Sequence, residues 1–145
     1  MNVVFSSSDL YAKCTGIAIY SLLVTNIDLD KLNIYVLTTD MTIENQTKIS
    51  NMVKSYGRTV FFIQAETLLK KAQVELGLTD FKGGLNTYAR AIANQVMPSD
   101  VDKALFVDSD IVFNGSLKGL EGLEMDSTII AGVPEAMLMT KSVCY

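Results

Sequence analysis

The chain opens on an apolar run, Val3-Val4-Phe5, that ends in three serines and Asp9. A short β-prone run bounded by polar residues predicts a buried strand over Asn2–Ser6. Apolar residues at Ile17, Ile19, Tyr20, Leu23 and Val24 then fit one face of a helix over Ala12–Thr25. Leu32–Leu37 reads as the second strand. Thr42 is placed to cap a helix over Ile43–Tyr56, and Gly57 stands where a helix end favours positive φ. Thr59–Ile63 is the third strand, and Ala65–Leu76 a helix stopped by Gly77. Residues Gly77–Leu85 read as looser chain. Asn86 or Thr87 starts a helix that runs to about Val96 and is ended by Pro98. Lys103–Val107 is the fourth strand. A second β-rich run, Ile111-Val112-Phe113, and the turn Asn114-Gly115 follow, with a further strand expected over Ser127–Val133.

Strands that alternate with helices at this spacing predict an α/β fold, a mostly parallel sheet covered on both faces. The 145 residues suit a single domain, 1–145, with no linker or internal repeat. Ligands of such sheets collect outside the carboxyl ends of the strands. Two polar clusters fall at those ends, Ser7–Asp9 and Asp108–Asp110.

Composition narrows the chemistry. Apolar residues make up 49% of the chain and charged residues 19%, which is a globular balance. The net charge is -4 without a basic stripe, so nucleic acid is not an expected partner. The chain has no His, which excludes His-based zinc sites, Ser-His-Asp triads and Cys-His dyads within it. Cys14 and Cys144 lie far apart and read as free thiols. No signal peptide or apolar run long enough to span a bilayer stands out, and a cytoplasmic location is expected.

Two aspartates spaced i, i+2 on extended chain point to the same face and can converge on one hard cation, Mg²⁺ or Mn²⁺. Three such pairs occur: Asp28/Asp30, Asp100/Asp102 and Asp108/Asp110. The first two lie in polar connections and read as solvated loop charges. Only the third follows an apolar run, Ala104-Leu105-Phe106-Val107, where desolvated carboxylates are costly unless a cation accompanies them. The alternative is that Asp108 and Asp110 merely terminate the strand.

The surroundings carry a resemblance. Asn86-Thr87-Tyr88-Ala89-Arg90, then Asp102 through Asp110, then Gly115-Ser116-Leu117 resemble the core of family 8 glycosyltransferases. These include bacterial lipopolysaccharide galactosyl- and glucosyltransferases and glycogenin. Asn2-Val3-Val4-Phe5, Ser8-Asp9-Leu10-Tyr11-Ala12, Ser21-Leu22-Leu23, Tyr35-Val36-Leu37 and Ile43-Glu44-Asn45 agree with the family in order. The resemblance implies a GT-A fold and a metal-dependent, retaining transfer of a sugar, from a UDP-hexose to a saccharide or glycolipid acceptor. Mn²⁺ (or Mg²⁺) is the implied ion. Asp108 and Asp110 are its implied ligands, with Asp108 and Ser109 also near the donor and Arg90 reaching toward both the donor and the carboxylates. Tyr11 is implied against the uracil ring, with Phe5, Ser6, Ser8 and Asp9 near the base and ribose. The family often carries an acidic residue in place of Ser8 and Asn in place of Leu10. Its members continue further and supply a His to the metal, so the chain is expected to be an incomplete part of a longer enzyme. Contact with the inner membrane face, if any, is expected through parts outside this chain.

Each assignment has a plainer alternative. Arg90 reads equally as a salt-bridged helix residue, Tyr11 as a core aromatic and Asp9 as a helix cap. Gly83-Gly84 lacks a phosphate-loop pattern and reads as a connection. Met125, Met137 and Met139 read as packing residues. In function, the alternative is a nucleotide-binding unit without transferase activity. A phosphoryl-transfer enzyme with an aspartate nucleophile is more remote, because Val112 stands where such enzymes place Thr.

Overall fold

Strand β1, Asn2–Ser7, lies in the middle of the molecule with Val3, Val4 and Phe5 all buried. A computed structural model describes residues 1–77, 88–125, 128 and 130–132. The expected caps Asn86 and Thr87, the Gly83-Gly84 connection, residues 127, 129 and 133 of the expected strand 127–133, Met137, Met139 and Cys144 lie outside the described residues, and residues 128 and 130–132 of that strand carry no strand structure.

After β1 come a 3-10 turn, Asp9–Tyr11, and helix α1, Ala12–Thr25. They are followed by β2, Asn33–Thr38, α2, Ile43–Ser55, and β3, Thr59–Gln64. Then come α3, Glu66–Glu75, α4, Ala89–Val96, and β4, Leu105–Val107. The strands form one sheet in the order β3-β2-β1-β4, and every pairing is parallel. Its inner strands are near-continuous apolar runs because both of their faces are covered.

Side-chain alternation along β1 divides the core. Val3 and Phe5, with Ile34 and Val36 of β2, pack under α1 and α2 against Ile19, Leu22, Ile49 and Val53. Val4, with Tyr35 and Leu37, packs on the opposite face against Leu69 of α3 and Ala89 and Ile92 of α4.

The helix ends follow local rules. Thr42 is the N-cap of α2 and its side chain accepts from the Asn45 N–H. At the other end Gly57 takes φ +68°, donating to the Lys54 carbonyl while Arg58 donates to that of Val53. This left-handed closure is one that glycine adopts without a Cβ penalty. Met97 is extended ahead of Pro98, as the proline ring requires, and α4 stops there.

Two expectations are corrected. Ile17, Tyr20 and Val24 of α1 are exposed, and the buried face is Ala12, Thr15, Ala18, Ile19, Leu22 and Leu23. Apolar residues on both sides of α1 hid the true stripe, whose small members let the helix approach the sheet. Ile111–Phe113 forms no strand. Its anchor is instead the Phe113 N–H, which donates to Ser21 Oγ at 2.9 Å while the ring sits edge-on to Phe5.

Candidate functional site

The chain runs outward from β1 through β2 to β3 and then returns to place β4 on the other side of β1. That reversal makes a topological switch point at the carboxyl ends of β1 and β4, the place where open α/β sheets bind ligands. Both polar clusters lie there. Phe5 pairs in register with Val107, so the chain leaves the two strands side by side, at Ser6 and at Asp108.

Ser109 joins the two strand ends. Its Oγ donates to the Ser6 carbonyl at 2.6 Å, and the residue is 7% exposed. Asp108 and Asp110 flank it and are both exposed. The strand ends at Val107 and Ser109 and Asp110 stand in a turn, not on extended chain as the spacing suggested, yet both carboxylates remain on the solvent side. The other two pairs, Asp28/Asp30 and Asp100/Asp102, are also exposed but stand away from the strand ends, and Asp28 accepts from Ser116 Oγ.

Arg90 comes from the first turn of α4, whose neighbouring Ala89 is fully buried against the sheet. Its Nη2 donates to Asp108 Oδ1 at 3.0 Å, and its guanidinium carbon lies 5.4 Å from the centre of the Phe106 ring. The aromatic face and the carboxylate together orient a planar cation. The salt-bridge reading and the site reading of Arg90 therefore meet in one geometry. Phe106 had no functional signal in the sequence beyond its place in the strand.

Asp108 and Asp110 suit a hard divalent cation as two carboxylate donors, the remaining positions being open to phosphate oxygens and water. Among the described residues they join no cluster of three acidic, His or Cys side chains.

The Phe5 ring is 0% exposed and packed in the core, so only its backbone faces the strand end. Ser8 is half-buried, and its carbonyl accepts from the Tyr11 N–H at 3.1 Å, closing the 3-10 turn. Tyr11 is 48% exposed. Asp9 Oδ1 accepts three hydrogen bonds from the start of α2: the Thr42 N–H, Thr42 Oγ1 and Asn45 Nδ2, each at 2.8 Å. The Asp9 N–H in turn donates to Asp40 Oδ1 at 3.0 Å. The Thr42 backbone bond, followed by those of Asn45 and the Thr42 hydroxyl, holds the Asp9 carboxyl below the ordinary aspartate value. Asp9 thus caps a helix, but it is α2 and not its own. Thr42 was legible as a cap, whereas its partner 33 residues upstream was not.

A shallow groove between α1 and α2, lined by Ala12, Gly16, Ile49 and Met52 among others, shares no residue with the carboxylates.

These features have a family. The chain belongs to glycosyl transferase family 8, whose sequence profile matches residues 2–143. A Haemophilus influenzae protein named "Putative glycosyltransferase" is 27% identical over the whole chain, which spans 42% of that relative. The galactosyltransferase LgtC, solved with donor and acceptor sugar analogues, superposes with a TM-score of 0.73 at 23% identity, over 87% of this chain and 44% of that one. The glycosyltransferase GlyE of Streptococcus pneumoniae gives 0.63 at 23% identity, over 86% of this chain and 27% of its own. The fold is GT-A, as the resemblance implied. The chain spans less than half the length of these relatives. Among the described residues no helix is long and apolar enough to cross a membrane.

Proposed function

We propose that the chain is the donor-binding part of a retaining glycosyltransferase that takes a nucleoside-diphosphate sugar, a UDP-hexose, and glycosylates a saccharide or glycolipid acceptor. The observation that carries this reading is the meeting of Arg90 with Asp108 at the switch point of the sheet, 3.0 Å apart, with Asp110 exposed beside them.

In this reading Asp108 and Asp110 hold Mn²⁺ (or Mg²⁺), which supplies positive charge against the donor diphosphate. Arg90 turns its fork toward the same diphosphate and stabilises it as it departs. Tyr11 offers a ring face to the base, and Ser6 and Ser8 approach the base edge and ribose. The bond from the anomeric carbon to the diphosphate oxygen breaks. The acceptor hydroxyl oxygen bonds that carbon from the same face, and its proton passes to the departing diphosphate. No nucleophilic side chain is required of this chain.

Calorimetry with UDP tests the reading. UDP is expected to bind more tightly with Mn²⁺ than without it, and Asp108→Asn is expected to remove that difference. Equal binding in all three cases would exclude a metal site here.

The share of the relatives that the chain spans, 42% and 44%, favours a second reading of the isolated chain as a nucleotide-binding unit without transferase activity. Turnover of a UDP-sugar by the 145-residue chain would exclude it.

A further inference from the structure

We infer that Asp9 is a positioning residue: it fixes the Ser8–Tyr11 turn against the start of α2, and so holds Tyr11 where the nucleoside part of the donor binds. The inference rests on the functional reading above, but gives Asp9 a role that needs no contact with the nucleotide.

The geometry is a two-sided brace. On one side, three donors of Thr42 and Asn45 converge on a single oxygen, Oδ1 of Asp9. On the other, the Asp9 N–H is held by Asp40 Oδ1, which Thr39 Oγ1 also contacts at 3.2 Å. Asp9 is therefore tied to the β2–α2 connection through both its backbone and its side chain. The turn runs from Ser8 to Tyr11, one residue before Asp9 and two after it, so fixing Asp9 fixes the path of Leu10 and Tyr11.

The connection that receives Asp9 is itself anchored. Thr38 is fully buried and its Oγ1 accepts from the Met41 N–H at 3.0 Å, while Gln46 Nε2 donates to the Met41 carbonyl at 2.8 Å. The positive end of the α2 dipole favours a carboxylate at this place. A turn fixed before a ligand arrives loses less conformational freedom on binding, which raises affinity without adding a contact.

Asn45 makes the inference testable, because it acts on Asp9 from α2 and the functional reading gives it no part in binding. Asn45→Asp replaces a donor to Asp9 with a like charge. Aspartate in the first turn of a helix is itself favourable, so α2 is retained. Asn45→Ala removes the donor alone. Three readouts follow for both variants and the unaltered chain: calorimetry of UDP with Mn²⁺, calorimetry of inorganic diphosphate with Mn²⁺, and hydrogen exchange of the amides of residues 9–11.

Asn45→Asp is expected to weaken UDP binding roughly tenfold, with Asn45→Ala intermediate. Diphosphate binding is expected to stay unchanged, and exchange at residues 9–11 to accelerate. UDP binding equal to that of the unaltered chain would overturn the inference, as would an equal loss for diphosphate. If the unaltered chain binds no UDP, the functional reading fails, and exchange alone judges the brace. Accelerated exchange then supports it and unchanged exchange overturns it.

Discussion

Ser109 Oγ donates to the Ser6 carbonyl at 2.6 Å, across 103 residues of sequence. One hydroxyl thereby closes the ends of β1 and β4 together and turns the carboxylates on either side of it toward solvent. The bond is part-buried, so an acceptor left without it has little water to replace it. Ser109→Ala is expected to cost about 1–2 kcal/mol in urea unfolding. The same variant is expected to weaken metal-dependent UDP binding, because Asp108 and Asp110 lose their fixed spacing.

Arg90 and Asp108 form an ion pair between side chains that are 63% and 66% exposed. Pairs this exposed contribute only about 0–1 kcal/mol to stability. Arg90→Ala should therefore unfold within about 1 kcal/mol of the unaltered chain, yet lose affinity for UDP and for inorganic diphosphate together. Arg90→Lys should not restore either, since a point charge replaces a planar fork that also rests on Phe106. Parallel urea and calorimetric titrations check both halves of the expectation.

Phe113 holds the segment after the carboxylates to the core through its edge-on contact with Phe5, with ring centres 6.4 Å apart. Phe113→Ala is expected to cost about 3–5 kcal/mol in urea unfolding. Phe113→Leu keeps most of the volume and is expected to cost less.

Asp9 links the brace to pH. Its carboxyl is held below the ordinary aspartate value by the Thr42 and Asn45 bonds. A carboxyl lowered by folding stabilises the native state fully above the unfolded value, and the contribution is lost as pH falls through the lower folded value. The facing charged groups are Asp40, whose Oδ1 takes the Asp9 N–H, and Glu44, which is paired with Lys48. Below about pH 4 the stability of the unaltered chain should fall by more than its other carboxylates alone would produce. Asp9→Asn should remove that part of the dependence while leaving the melting curve at pH 7 to report the loss of charge. Circular dichroism against pH for the two chains measures the difference.

Most of the elements were legible in the sequence because they depend on local rules. The strand runs Asn2–Ser6 and Thr59–Ile63, the Thr42 cap, the Gly57 stop and the Met97-Pro98 boundary each follow from backbone sterics or from a short β-prone run bounded by polar residues. Helix α1 was legible as a helix but not in its orientation. With apolar residues on both faces, only contact with the sheet decides which side is buried.

The candidate site divides in the same way. Residue type and strand context singled out Asp108 and Asp110 among three equal spacings, and the Asn86–Arg90 segment supplied the family resemblance that was later met by the match over residues 2–143. Which groups stand beside those aspartates was decided by the order β3-β2-β1-β4, which brings β4 against β1 and so Ser109 against Ser6. The partners of Asp9 were decided likewise, by α2 packing next to the end of β1 across 33 and 36 residues of chain. Local sterics act over a few residues, whereas burial of two apolar faces brings distant polar groups within hydrogen-bond reach, and that is why only the tertiary structure shows the braces.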